Sequence, residues 1–271
     1  MRPHPEQPPP LLSGPDGVTE GYYELEALER NKTWEALRRH TEAASFWYRS
    51  LTLYRRAMLG QWDFSDVGED KARLTVYGLQ SQLLGLGVSS AKAALDMLLA
   101  GYYSVAFASI RHMLETFVQY CYVAVKPEEA NRWYTQSDGI EDQSKTPGCK
   151  HMIITIQQRP DLAPPSFMDK VYDSWSLMSK GSHPTGQGIF QTVGDEEGWF
   201  FVIGATYNRD FCLTGFDHGL FALDKLLVAL VSLKKQDDDW TAESGKLRDE
   251  VSRWRETTAA ELAATTDTES G

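Results

Sequence analysis

Cysteine is scarce in this chain, and its arrangement carries no chemistry. Cys121, Cys149 and Cys212 are the three in 271 residues. They lie far apart, with no CxxC pair and no regular spacing to histidine, so neither a disulfide framework nor a zinc knuckle is indicated. That usage fits a reducing, cytoplasmic compartment. Also missing are an HExxH helix, a GxSxG elbow and a Walker loop, which argues against zinc proteases, α/β-hydrolases and P-loop enzymes. Cys149 and His151, two apart, lack further ligands nearby, and the triplet Asp237-Asp238-Asp239 reads as a solvated helix cap. No metal and no cofactor are expected.

Positive charge is short as well. With 27 basic against 38 acidic residues the formal charge is −11, which argues against a broad DNA-binding surface, since such a surface releases counterions from a basic face. A local basic groove is all that remains for RNA or a nucleotide. Long apolar runs are lacking too. The longest, around 97–110 and 219–233, are short or broken by Asp224 and Lys225, so no membrane span is expected. The opening MRPHPEQPPPLLSGPDG has no apolar run of the signal-peptide kind. Rich in proline, residues 1–17 cannot bury enough apolar surface to order themselves and are read as a disordered arm.

What the sequence does have is helical periodicity over most of its length, and 42% hydrophobic residues are enough for an ordinary core. Apolar residues spaced by three and four run from Val18 to about Trp62, with a break near Asn31. Further helices are expected over about 69–99, 101–125, 127–134, 149–158, 164–180, 208–234 and 241–258, and the Ala/Thr-rich residues 259–271 are read as a frayed tail. Two β-prone runs around Gly-Asp-Glu-Glu-Gly predict a hairpin at about 188–206. The expectation is a mainly α multi-helix bundle, with residues 18–258 as a single domain and one small β-hairpin at its edge.

The helix at 101–125 is apolar almost all round, as suits the centre of a bundle. Its polar residues line up: Arg111, Glu115 and Gln119 recur at intervals of four, with Ser104 and Ala108 on the same stripe. Ile110, Leu114, Phe117, Val118 and Cys121 flank them, so burial demands partners for the two charges. Either Arg111 and Glu115 form an internal ion pair that fixes helix register, or Arg111 binds an anionic group while Glu115 orients it. His112 projects about 100° round the helix from the stripe and reads as a satisfied core histidine.

A second polar cluster stands in SKGSHPTGQG, residues 179–188. Gly181 at a C′ position and Pro184 just beyond it make a helix stop. Ser179, Lys180, Ser182 and Thr185 supply polar contacts, and His183 is a candidate acid or base for work on a phosphodiester if it faces Arg111 and Glu115.

The run YYSVAFASIRHMLETFVQY, followed after two helices by LMSKGSHPTG, resembles a family of bacterial helical proteins similar to the HEPN superfamily. The shared features are the Arg111-x-x-x-Glu115 core helix and the Ser179-x-x-x-His183 loop, over about residues 70–235. The resemblance implies an α-helical bundle, commonly a homodimer, of the kind that in HEPN ribonucleases cleaves RNA without metal using arginine and histidine. Those nucleases carry the two residues on one helix with four to six residues between them. Here Arg111 is followed directly by His112, so a cleaving site would be assembled from Arg111 and His183 in another way.

Two functions are therefore expected as alternatives. One is a non-enzymatic or regulatory helical interaction module with a buried Arg–Glu–His cluster. The other is a metal-independent HEPN-like ribonuclease or nucleotide-binding enzyme using Arg111, Glu115 and His183.

Overall fold

A computed structural model describes residues 27–28, 31, 35, 41–60, 71–136, 147–159, 165–182, 208–233 and 238–269. These form eight helices and no strand: α1 (Thr41–Gly60), α2 (Lys71–Leu99), α3 (Tyr103–Val125), α4 (Pro127–Gln136), α5 (Cys149–Gln157), α6 (Pro165–Ser182), α7 (Arg209–Leu233) and α8 (Asp238–Glu269). The mainly α expectation is met among the described residues. The proline-rich arm, the hairpin at 188–206, His183, Thr185 and Asp237 lie outside them. No described helix is long and apolar enough to cross a membrane.

α3 is the centre. Thirteen of its residues are buried, from Tyr103 to Val123, because its apolar positions run round the whole cylinder. α2 lies antiparallel beside it, and the turn between them is made by Gly101 at φ 79°. There Tyr102 N–H donates to Met97 O at 2.9 Å and Gly101 N–H to Leu98 O at 3.2 Å, a Schellman closure that needs a left-handed residue. The hairpin turn thus sets which faces of α2 and α3 oppose one another. Gln80 Nε2 donates to Tyr120 O at 3.3 Å at the far end of the same pair.

α1 and α7 close the other side of this pair. Trp47 is fully buried, donates its indole N–H to Ala91 O at 3.1 Å, and meets Phe216 edge-on at 5.9 Å between centroids. Its ring lies so close to α7 that a Cβ on Gly219 would stand 2.1 Å from Trp47 Cη2. Glycine is what allows that approach. Tyr54 donates to Leu223 O at 2.6 Å and ties α1 to α7 again. α8 then lies along α1 and α7, with Trp240 buried and donating to Leu53 O at 2.9 Å.

Three expectations are corrected. α6 runs on to Ser182; Gly181 is buried inside its last turn and does not stop it, packing outweighing glycine's cost of about 1 kcal/mol. α8 begins earlier than 241 and extends past 258 to Glu269, since alanine and glutamate are strong helix formers and threonine costs only tenths of a kcal/mol. His112 is not a core histidine: it is exposed, because its turn away from the Arg111 stripe aims it at the outer edge of α2.

Candidate functional site

The Arg111–Glu115 pair sits where α3, α5 and α6 meet. Arg111 Nε donates to Glu115 Oε1 at 2.9 Å, and the two side chains are 28% and 26% exposed, so the stripe is half-buried. Their apolar flanks Ile110, Leu114, Phe117, Val118 and Cys121 are all buried. From α6, Trp175 donates its indole N–H to the same Glu115 oxygen at 2.9 Å. The Arg111 guanidinium lies over that indole, 5.6 Å from its centroid. One carboxylate oxygen thus collects two donors from two helices, and the arginine covers the ring of the second.

The arrangement continues outward. Tyr172, one turn back on α6, stacks on Trp175 at 5.8 Å and 29°, and Lys150 of α5 stands 5.7 Å over the Tyr172 ring. Gln157 Nε2 donates to Asp169 Oδ1 at 2.7 Å and links the same two helices. A cation, two rings and a second cation therefore follow one another across three helices, at spacings typical of cation–π contact.

Cys149, beside Lys150, feels this cluster. Burial pushes its thiol up to about 12; Glu115 adds to the rise and Arg111 opposes it. Burial alone brings Cys121 and Cys212 to about 12 as well. Thiols so protonated at neutral pH are poor nucleophiles and poor metal ligands. His151 is exposed while Cys149 is half-buried, as their separation of about 200° round α5 requires. Among the described residues no group of three His, Cys, Asp or Glu is placed to hold a metal ion.

The remaining predicted residues divide. Gln119 is half-buried one turn beyond Glu115. Ser182 Oγ donates to Ser179 O at 3.2 Å inside α6. Ser179 Oγ is buried with no hydrogen-bond partner among the described residues, and Lys180 is exposed. Trp175, one turn before Ser179, reaches the Arg111–Glu115 pair from α6.

Sequence reasoning passed over Trp175, Tyr172 and Lys150. In sequence Trp175 falls at helical spacing with the apolar Val171 and Met178, yet an indole that enters an interior brings an N–H that must be satisfied. The half-buried Glu115 carboxylate is the acceptor that this N–H calls for. It also passed over two serine–histidine pairs between helices. Ser174 Oγ and His218 Nδ1 lie 2.8 Å apart across α6 and α7, and Ser90 Oγ and His112 Nδ1 lie 2.7 Å apart across α2 and α3.

The second pair borders an open groove of about 410 Å³ lined by Ser89, Ser90, Ala93, Val105, Ala108 and Ser109 besides His112. Leu86 and Val105, each 49% exposed, stand along the same outer edge of α2 and α3. The hydroxyls of Ser89 and Ser109 donate to carbonyls of their own helices, Gly85 and Val105. The groove therefore offers an apolar floor and one bonded imidazole.

No family model, curated protein or solved structure matches the chain. The resemblance to HEPN-like proteins accordingly rests on the two short motifs alone.

Proposed function

We propose that this chain is a non-catalytic helical interaction module that associates with a second copy of itself, and that its Arg111–Glu115 cluster is architectural. The observation that carries this reading is the shared acceptor: Glu115 Oε1 receives both Arg111 Nε and Trp175 Nε1. An arginine poised for an anionic substrate is better served by a carboxylate that leaves it facing a cleft. Here the guanidinium lies against an indole, and the pair joins α3 to α6.

The working surface in this reading is the outer edge of the α2–α3 pair. Leu86 and Val105 are half-exposed there, beside small residues that let a partner helix come close. Self-association through it accords with the homodimer that the motif resemblance implies. The test is light scattering on the purified chain. The reading predicts a dimer that Leu86→Asp with Val105→Asp converts to a folded monomer. A wild type that is monomeric at tens of micromolar, or a dimer indifferent to both substitutions, would sink it.

A further inference from the structure

α8 reads as a heptad helix whose core positions are weak and whose flanks are charged. Trp240, Leu247 and Trp254 recur at seven-residue steps, as do Ser244, Val251 and Thr258. Together they form the seam that faces the bundle, all buried except a half-buried Trp254. Three of these six positions are serine, threonine or valine, and Ser244 Oγ is buried with no hydrogen-bond partner among the described residues. A seam of this kind holds less tightly than one of leucine and isoleucine.

The flanks compensate with charge. On one side, Glu243 pairs with Arg56 and Glu250 with Arg49, both from α1. On the other, Arg248 Nε meets Asp224 at 2.6 Å, and Arg255 holds Asp217 with two bonds at 2.6 and 3.0 Å. Every step is seven residues on both partners, and α8 runs antiparallel to each. The acidic edge of α8 lies on the arginine edge of α1, and its arginine edge lies on the aspartate edge of α7. Reversing the helix would set like charges together, so the pairs specify direction and register.

We propose that α8 is a salt-labile clasp, anchored at Trp240 and held along Glu243–Thr258 by these four ion pairs, which opens as a unit while the rest of the bundle stays folded. The anchor is apolar and hydrogen-bonded, with Trp240 buried and its N–H on Leu53 O. The pairs that follow are part-exposed, with side chains between 18% and 48% exposed. Pairs of that exposure are individually weak and are screened by salt. The ion pairs on α2 and α3, Lys92–Asp96 and Arg111–Glu115, each lie within one helix, and α3 is held chiefly by its thirteen buried residues. Opening uncovers the Asp217 and Asp224 edge of α7 and the Phe221 ring, over which the Arg255 guanidinium lies 4.9 Å from the centroid.

The experiment is hydrogen–deuterium exchange of the full chain, read by mass spectrometry, in low salt and in about 1 M NaCl, where the Debye length falls to about 3 Å. Amides of Glu243–Thr258 are expected to exchange roughly tenfold faster or more in high salt. Those of α3 should be unchanged. The double variant Arg248→Gln with Arg255→Gln should exchange fast in α8 already at low salt and lose most of its salt response. Leu247→Ala, which weakens the seam and leaves the charges, should exchange faster yet keep that response. Equal protection of α8 in both salts would overturn the clasp. So would acceleration of α3 together with α8, since that is opening of the whole bundle.

Discussion

Trp175 donates its indole N–H to Glu115 Oε1 at 2.9 Å, joining α6 to the central helix through the same oxygen that takes Arg111 Nε. Removing the carboxylate takes an acceptor away from a guanidinium and from an indole N–H in a half-buried place. Glu115→Ala should therefore destabilise the chain by about 1–3 kcal/mol, the lower part of the range for broken charge pairs because a quarter of each side chain is exposed. Glu115→Gln, which keeps an oxygen for Trp175, should cost less. Chemical denaturation of the three proteins checks the order.

Gly219 offers a prediction of opposite sign to its propensity. In an exposed helix, glycine to alanine gains about 1 kcal/mol. At this position the added Cβ would meet Trp47 Cη2 at 2.1 Å, and Trp47 is fixed by its bond to Ala91 O. Gly219→Ala should lower the melting temperature, with an overpacking cost of about 1–3 kcal/mol. An unchanged or raised melting temperature would show that α1 and α7 are less closely fitted.

His218 makes stability depend on pH. Burial lowers its pKa below the ordinary histidine value; Asp217 opposes that shift and Arg255 adds to it. The unfolded chain therefore takes up the proton more readily than the native one. The stability from a neutral His218 is complete above about pH 6.5 and is lost as pH falls below it toward the native pKa. Denaturant midpoints between about pH 8 and 5 should fall for the wild type. They should fall less for His218→Gln.

The three thiols should resist alkylation in the native state. With Cys121, Cys149 and Cys212 all raised to about 12, each first by burial, iodoacetamide near neutral pH should label the native chain slowly and the denatured chain fully. Rapid native labelling of Cys149 would mean that its partial burial is transient.

How much of this was legible in the sequence varies with the kind of signal. The central helix was, because a cylinder apolar on nearly every side has only one place in a bundle. The Arg111–Glu115 spacing was also legible, since residues four apart on a helix must meet. Their third partner was not, because Trp175 shares a stripe with plain core residues and its N–H acts only once α6 has been placed. The heptad charges of α8 escaped notice for a similar reason: Glu243, Arg248, Glu250 and Arg255 look like a solvated helix face until Arg49, Arg56, Asp217 and Asp224 stand opposite. Gly181 misled because its stop signal is local, whereas its burial in the last turn of α6 is a property of the whole fold.

The most direct test of the central claim is incubation of the purified chain with end-labelled single-stranded and structured RNA in EDTA. Beside it goes His183→Ala, shown by circular dichroism to be folded. The account predicts that the RNA stays intact with both proteins at micromolar concentration. Cleavage by the wild type that disappears in the folded variant would contradict it and assign His183 to a metal-independent ribonuclease site.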